Sequence, residues 1–156
     1  MKTPSFHDRR DYIRQVFGQE PKDLKSVRAA MTNPEDQISV PPEDGRLLQL
    51  LVLLVNAKKI VEIGTLGGYS SLWMAQAMPK GGRIYTCEYE ERRAKIAEKH
   101  FRKYAPGKKI TIVQGNAHET LPGLSKKGPF DLIFIDADKV SYAKYLDWAE
   151  ENIRKG

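Results

Sequence analysis

The stretch VEIGTLGGYS, residues 61–70, decides the fold, because a short apolar strand here runs into a cluster of glycines and then into a helix. Glycine lets the backbone approach a ligand without a clash at Cβ, and a helix N-terminus offers free N–H groups and the positive end of a dipole. The spacing lacks the second glycine of the dinucleotide fingerprint. An ordinary tight turn would use the same residues, so the glycines alone identify no ligand.

Strands and helices alternate on both sides of this turn. We predict strands at 59–63, 83–88, 109–114 and 130–135, helices at 69–78, 90–104, 118–121 and 140–154, and upstream helices at 5–17, 21–32 and 46–56. Such alternation favours right-handed crossovers and a parallel sheet covered by helices. The apolar run 132–135 is typical of a strand buried on both faces. The predicted fold is α/β: a Rossmann-like, doubly wound parallel sheet with helices on both faces and additional N-terminal helices.

Composition sets limits on class and compartment. A chain of 156 residues predicts a single domain, and no apolar run reaches the ~20 residues of a membrane span. The lone Cys87 favours a reducing, cytoplasmic location. The net charge of +6 is dispersed, which favours a solvated surface over a nucleic-acid stripe, although an anionic partner stays open.

Two acids frame the glycine turn. Glu88 ends the second predicted strand, at about the spacing of ~20 residues at which an acid accepts hydrogen bonds from ribose hydroxyls. Capping of the next helix is the alternative role for Glu88. Glu62 ends a buried strand, and a buried carboxylate needs partners. Because a carboxylate repels phosphate, Glu62 favours a ligand that carries an ammonium and a sulfonium, such as S-adenosylmethionine, over NAD or ATP.

The fourth predicted strand ends in two acids and a lysine. The first and fourth strands flank the switch point of a doubly wound sheet, so Asp136 and Asp138 face the same crevice as Gly64. Two carboxylates suit a hard cation. A lysine beside a cation suits proton removal from a hydroxyl, because the cation lowers the lysine pKa. A helix-capping aspartate followed by a surface lysine, Lys139, is the alternative.

The segments EIGTLGGYS, CEYE, QGNAHETL and FIDADK resemble, in order and spacing, the motifs of cation-dependent class I O-methyltransferases of the catechol and caffeoyl-CoA type. The upstream segments QISV and ExG are similar to a cofactor loop of that family, so the resemblance covers residue 37 to the end. It implies S-adenosylmethionine as methyl donor, Mg²⁺ or another divalent cation, and a small, catechol-like or phenolic hydroxyl acceptor.

The resemblance also assigns roles to individual positions. It implies that Val40 touches the methionine end of the cofactor, and that Glu88 accepts the ribose hydroxyls. It implies that Ala117 borders the adenine and that Asp138 makes a second cofactor contact. Asp136 is implied as a catalytic metal ligand and Lys139 as the catalytic base. The amino-acid part of the cofactor is implied to be held by Glu62, Gly64, Thr65 and Ser70.

The family pattern continues with a strand that ends in an Asp-Asn pair and completes the metal site, and no such pair occurs in residues 1–156. We therefore expect one methyltransferase domain over 1–156, with an N-terminal helical segment at 1–37 and a cofactor-binding core at 38–156. We expect the core to be incomplete at its C-terminus and the family's C-terminal strands to be absent. A fragment and a truncated product both fit this expectation.

Three functions stay open at this point. The leading hypothesis is an O-methyltransferase that acts on a small acceptor. A hydroxyuridine O-methyltransferase acting on tRNA is the second, and a truncated, inactive cofactor-binding module is the third. We also expect a homodimer, because the N-terminal segment has an apolar face at helical spacing. That face comprises Phe6, Tyr12, Ile13, Val16 and Phe17.

Overall fold

The structure is a computed structural model that describes residues 6–17 and 19–155. Helices and strands alternate along the chain as the hydrophobic pattern predicts. The helices are α1 (Phe6–Phe17), α2 (Lys22–Ala29), α3 (Pro42–Leu54), α4 (Tyr69–Ala77), α5 (Glu91–Tyr104), α6 (Ala117–Ser125) and α7 (Tyr142–Asn152). The strands are β1 (Lys59–Ile63), β2 (Arg83–Glu88), β3 (Lys109–Gln114) and β4 (Leu132–Ile135), and short 3₁₀ turns cover Pro34–Asp36 and Lys139–Ser141.

The four strands form one parallel sheet in the order β3-β2-β1-β4. In the register, Ile63 of β1 pairs with Cys87 of β2 and with Ile135 of β4, so the carboxyl ends of these strands meet at one edge. The chain passes from β3 back across the sheet to β4, which makes the gap between β1 and β4 the switch point of the topology. The predicted α/β fold is confirmed.

The core lies on both faces of the sheet because successive strand residues point to opposite sides. Ile60 and Ile84 pack against α3 and α4 with Val52 and Met74. The opposite face packs against α6 and α7. That cluster includes Val61, Ile63, Tyr85, Leu121, Phe130 and Tyr145.

The fourth strand differs from its prediction in length and burial. Phe130 and Asp131 lie before β4 and make other contacts. The Asp131 carboxylate accepts the N–H groups of Lys58 and Lys59 at 2.7 and 2.8 Å. Phe130 forms a separate parallel bridge with Ile153. The four residues of β4 are half-buried rather than buried, because β4 is an edge strand of the described sheet. The apolar residues of β4 therefore lie on a strand that has a neighbouring strand on one side only.

Most helices differ from their predicted bounds by one or more residues, and α3, for example, begins at Pro42 rather than at residue 46. The helix after β3 runs from Ala117 to Ser125 instead of ending near 121, and the Asn116 side chain caps it by accepting the His118 N–H at 3.0 Å. The last helix starts at Tyr142, because Asp138 caps a 3₁₀ turn before it.

The N-terminal helices pack on the α3 and α4 side. Arg14 of α1 makes a bidentate ion pair with Glu43 of α3, with N···O distances of 2.8 and 3.1 Å. The apolar side chains Tyr12, Ile13, Val16 and Phe17 are exposed, and the side chain of Phe6 lies outside the described residues. Within the described ranges, no helix combines the length and the apolarity that crossing a membrane requires.

Candidate functional site

A cavity of about 670 Å³ opens at the carboxyl edge of the sheet. Ile63 and Gly64 line it from β1, Glu88 lines it from β2, and Asp136 lines it from the end of β4. Gly115 and Asn116 contribute from the end of β3. The volume falls within the roughly 300–1,000 Å³ of small-molecule sites. The sheet topology therefore brings together the strand ends that the sequence analysis marked.

The glycine turn is shaped by close backbone approaches. Gly64 has φ +104°, and a Cβ there would lie 2.1 Å from the carbonyl oxygen of Asp136. Gly68 has φ +81°, and a Cβ there would meet the Phe101 ring at 2.4 Å. Helix α4 begins at Tyr69, as predicted, and in this described segment no side chain caps it. Its N-terminus is consequently available to an anionic group of a ligand.

Glu88 holds two backbone segments at the cavity wall. Its Oε2 accepts the N–H of Leu66 at 2.8 Å, and its Oε1 accepts the N–H of Glu90 at 2.9 Å. Glu88 is buried and lines the cavity. A carboxylate has about four acceptor sites, so the two backbone bonds leave capacity for ligand hydroxyls. Glu88 thus orders the glycine turn and can also bind a ribose.

Glu62 is buried behind residues that line the cavity, and its predicted contact with the amino-acid part of the cofactor stays a prediction. Its side chain is 0% exposed. Its carboxylate accepts hydrogen bonds from Ser70 at 2.5 Å, from Thr86 at 2.6 Å and from Ser71. Burial raises the pKa of Glu62 to about 7, against the effect of these hydroxyls. Hydroxyl groups of its own fold therefore satisfy Glu62. They link it to the cavity through Ser70 and, by way of Thr86, through Thr65.

The other predicted cofactor residues line the cavity. Thr65 is buried, and its hydroxyl donates to the Cys87 carbonyl at 3.0 Å. Ser70 stands in the first turn of α4, and Ala117 is the first residue of α6. Val40 is half-buried and comes from the segment before α3. The structure brings these residues and Gly64 together around one space.

Asp136 and Lys139 lie at the more open side of the cavity. Their side chains are 40% and 75% exposed, and Lys139 Nζ is 3.9 Å from Asp136 Oδ1. Lys139 donates a hydrogen bond to the Tyr142 hydroxyl at 2.8 Å, and this bond raises the pKa of Lys139. The lowered pKa that we expected for a base depends on a nearby cation, so the role of Lys139 as a base stays a prediction.

Asp138 is occupied by its own segment. Its Oδ1 accepts the N–H of Ser141 at 2.9 Å and its Oδ2 accepts the Tyr145 hydroxyl at 2.8 Å. These bonds, that of Ser141 foremost, lower the pKa of Asp138. Asp138 therefore caps the 3₁₀ turn at 139–141, as the alternative interpretation expected, and it also lines the cavity. Its contact with a cofactor stays a prediction.

A divalent cation does not fit the described residues by themselves. Within residues 6–17 and 19–155, no three His, Cys, Asp or Glu side chains are grouped to hold a metal ion. Asp136 offers one carboxylate, whereas Mg²⁺ requires near-octahedral oxygen ligands. Asp136 is therefore at most one ligand of such a site.

Two further residues line the cavity. The sequence left His118 open between the adenine pocket and a solvent-facing helix start, and it did not mark Arg93. His118 stacks on Tyr145 with ring centroids 5.0 Å apart, and its Nε2 lies 2.9 Å from the Ser141 hydroxyl. Arg93 also lines the cavity, and it pairs with the buried Asp36. Residues 92 and 93 had the pattern of a solvated basic pair, and no local signal marks a carboxylate so far away in sequence as their partner.

Comparison with known proteins finds relatives that match most or all of this chain. A family model described as O-methyltransferase matches residues 17–156. A catechol O-methyltransferase of Niastella koreensis is 40% identical over 159 residues, which cover 100% of this chain and 72% of that protein. A catechol O-methyltransferase of Mycobacterium tuberculosis is 36% identical, with 90% of this chain and 64% of that protein covered.

Solved structures show the same architecture. An O-methyltransferase from Bacillus cereus in complex with SAH has a TM-score of 0.84 and 36% identity, over 94% of this chain and 68% of that one. An O-methyltransferase from Streptomyces achromogenes, involved in tomaymycin synthesis and in complex with SAM, has a TM-score of 0.85 and 33% identity, over 94% and 67%. The chain thus spans about two thirds of the length of these proteins.

Proposed function

Because this chain belongs to the O-methyltransferase family, we propose that its cavity binds S-adenosylmethionine and serves methyl transfer to the hydroxyl of a small acceptor. The observation that carries the proposal is Glu88, a buried carboxylate on the cavity wall beside an uncapped helix N-terminus. Relatives in complex with SAM and SAH support the same ligand.

The cavity offers a separate partner to each part of the proposed donor. Glu88 has free acceptor sites for ribose hydroxyls. The N-terminus of α4, with Ser70, suits the carboxylate of the methionine part. Ala117, small and at the cavity wall, leaves room for the adenine, and Val40 covers the methionine side. Carboxylates around the cavity favour a sulfonium and disfavour a pyrophosphate, since like charges repel.

For the acceptor, the proposal is a catechol-like or phenolic hydroxyl, as the names of the catechol O-methyltransferase relatives suggest. In the reaction the methyl group leaves the sulfur and bonds to the acceptor oxygen, which gives up its proton to a base. A divalent cation, when bound, would acidify that hydroxyl. The chain's own contribution is to position the reactants, which is worth about 7–11 kcal/mol in well-oriented systems. Asp136 and Lys139 are the side chains that we assign to the acceptor side.

Calorimetric titration of the purified chain with S-adenosylhomocysteine, the demethylated product, tests the donor site, with NAD and ATP as competitors. We expect Glu88→Gln to weaken binding by about 1–3 kcal/mol, because the bond from a ribose hydroxyl to a charged acceptor becomes a neutral one. Glu91→Gln is the matched control, since Glu91 is an exposed acid paired with Lys95.

Thermal melting separates binding from folding, because Glu88 also accepts two backbone N–H groups. Binding of NAD as tight as that of S-adenosylhomocysteine would refute the donor assignment. Methyl transfer is assayed separately with labelled S-adenosylmethionine, Mg²⁺ and a panel of catechols. We expect little or no turnover from residues 1–156 by themselves even when they bind the donor, because the described residues supply only part of a cation site. Efficient turnover would refute that expectation, and donor binding is judged by the titration alone.

A further inference from the structure

A buried carboxylate outside the cavity joins two parts of the fold that border it. Asp36 is 1% exposed and ends the 3₁₀ turn before α3. Its Oδ2 accepts from Arg92 Nη1 at 2.6 Å, and its Oδ1 accepts from Arg92 Nη2 at 3.2 Å and from Arg93 Nε at 2.8 Å. Both arginines belong to the first turn of α5. Three charge-assisted hydrogen bonds thus tie one carboxylate to α5.

The ion cluster is strong because it is partly withdrawn from water. The hydrogen bond from Arg92 is the main reason that the pKa of Asp36 lies below its ordinary value, despite burial. Arg92 also approaches Glu35 at 3.2 Å and Glu90 at 3.4 Å. A buried carboxylate deprived of its partners costs several kcal/mol. The segment around Asp36 therefore has one favoured position, in which the Asp36 carboxylate accepts hydrogen bonds from both Arg92 and Arg93.

Asp36 lies in the middle of residues 31–40, a segment that we call the strap and whose last three residues line the cavity. At one end, Met31 is buried on the glycine turn, where a Cβ on Gly67 would lie 2.6 Å from its sulfur. At the other end, Ile38 and Val40 line the cavity. Between these contacts, the strap makes turn bonds from Asp36 N–H and Gln37 N–H to the carbonyls of residues 33 and 34.

We propose that Asp36, through Arg92 and Arg93, is a positioning residue that holds the strap as the outer wall of the cofactor cavity. The inference rests on the proposed function for its ligand, and it adds a residue that touches no ligand. Arg93 is the link, because it binds Asp36 on one side and lines the cavity on the other. When this ion cluster of Asp36, Arg92 and Arg93, which we call the clamp, is broken, the strap loses its fixed position and its turn opens more often. A bound cofactor then escapes faster.

The experiment compares Asp36→Asn and Arg92→Gln with the unmodified protein by two measurements. Hydrogen exchange of the ligand-free protein is followed at the Asp36 and Gln37 amides, and S-adenosylhomocysteine dissociation is followed by stopped flow. We expect both variants to exchange faster at these amides and to release the ligand about tenfold faster, the effect of losing one charged hydrogen bond. Association rates should change little, since the clamp acts on the occupied cavity.

Arg102→Gln is the matched control, because Arg102 lies on the same helix and pairs only locally with the exposed Glu98. Hydrogen exchange at the β1 amides reports global unfolding. If Asp36→Asn does not fold, Arg92→Gln tests the same ion cluster. Unchanged exchange in the strap, or unchanged ligand release from a loosened strap, would overturn the clamp. Failure of the unmodified protein to bind S-adenosylhomocysteine would instead overturn the proposed function, while the exchange data still judge the strap.

Discussion

The two sides of the cavity differ in how far their acids are enclosed. Around β1 and β2, Glu62 and Glu88 are buried, and each accepts at least two hydrogen bonds from its own fold. At the end of β4, Asp136 and Lys139 are 40% and 75% exposed and lie 3.9 Å apart. Strand β1 has neighbours on both sides, whereas β4 is an edge strand of the described sheet.

The difference teaches that the β1 and β2 side of the cavity is preorganised and that the β4 side is not. Preorganised groups bind without a cost of ordering at the moment of binding. An exposed ion pair contributes little, about 0–1 kcal/mol. We therefore expect substitutions on the β1 and β2 side to change folding and cofactor binding strongly, and substitutions at the β4 end to leave both nearly unchanged.

The largest effect is expected for Gly64→Ala. Gly64 has φ +104°, which an alanine rarely adopts, and the added methyl group would lie 2.1 Å from the Asp136 carbonyl oxygen. The ends of β1 and β4 would therefore have to separate. We expect a loss above about 3 kcal/mol in the free energy of unfolding, or no folded protein. Urea unfolding followed by circular dichroism measures it.

Gly81→Ala is the control for this substitution. Gly81 has φ +86°, but no atom lies within 4 Å of the position that the added methyl group would take, so only the conformational cost of about 1–2 kcal/mol applies. Equal losses for the two variants would show that the close approach between β1 and β4 does not limit the fold.

The second effect concerns the pH dependence caused by Glu62. Burial raises its pKa from 4.5 to about 7, so between these values the folded protein holds a proton that the unfolded chain has released. The stability contribution is complete below pH 4.5 and is lost as pH rises towards 7. Glu62→Gln removes this loss. Its stability relative to the unmodified protein should rise with pH by an amount on the order of 3 kcal/mol.

Urea unfolding at a series of pH values tests this expectation, with Glu98→Gln as the control because Glu98 is exposed. A difference between Glu62→Gln and the unmodified protein that stays constant across the series would mean that Glu62 is already charged in the fold. The ring of hydroxyls would then be strong enough to hold an anion.

The smallest effect is expected for Asp136→Asn. Because this side chain is half-exposed, the free energy of unfolding should change by less than about 0.5 kcal/mol, with S-adenosylhomocysteine affinity nearly unchanged. Mg²⁺ should bind the unmodified chain only weakly, since one carboxylate plus water gives a poor site. Calorimetry with Mg²⁺ on both proteins measures this. Tight Mg²⁺ binding by both would place the cation away from Asp136.

The sequence by itself determined the strands β1, β2 and β3, whose bounds match the predictions residue for residue. Their signals are local: an apolar strand pattern closed by a turn residue at each end. The same locality marked Gly64, Glu88 and Asp136, because in a parallel sheet the carboxyl ends of the strands share one edge. The resemblance to O-methyltransferases, carried by contiguous motifs, was confirmed by the family match.

Only the tertiary structure decided which acids line the cavity and which are enclosed by the fold. Glu62 and Glu88 both end strands, yet three hydroxyls from α4 and β2 enclose Glu62, while Glu88 remains on the cavity wall. Asp36 was unmarked because its partners on α5 are distant in sequence. The physical reason is that burial and charge pairing depend on what packs from elsewhere in the chain, which hydrophobic period and turn residues do not encode.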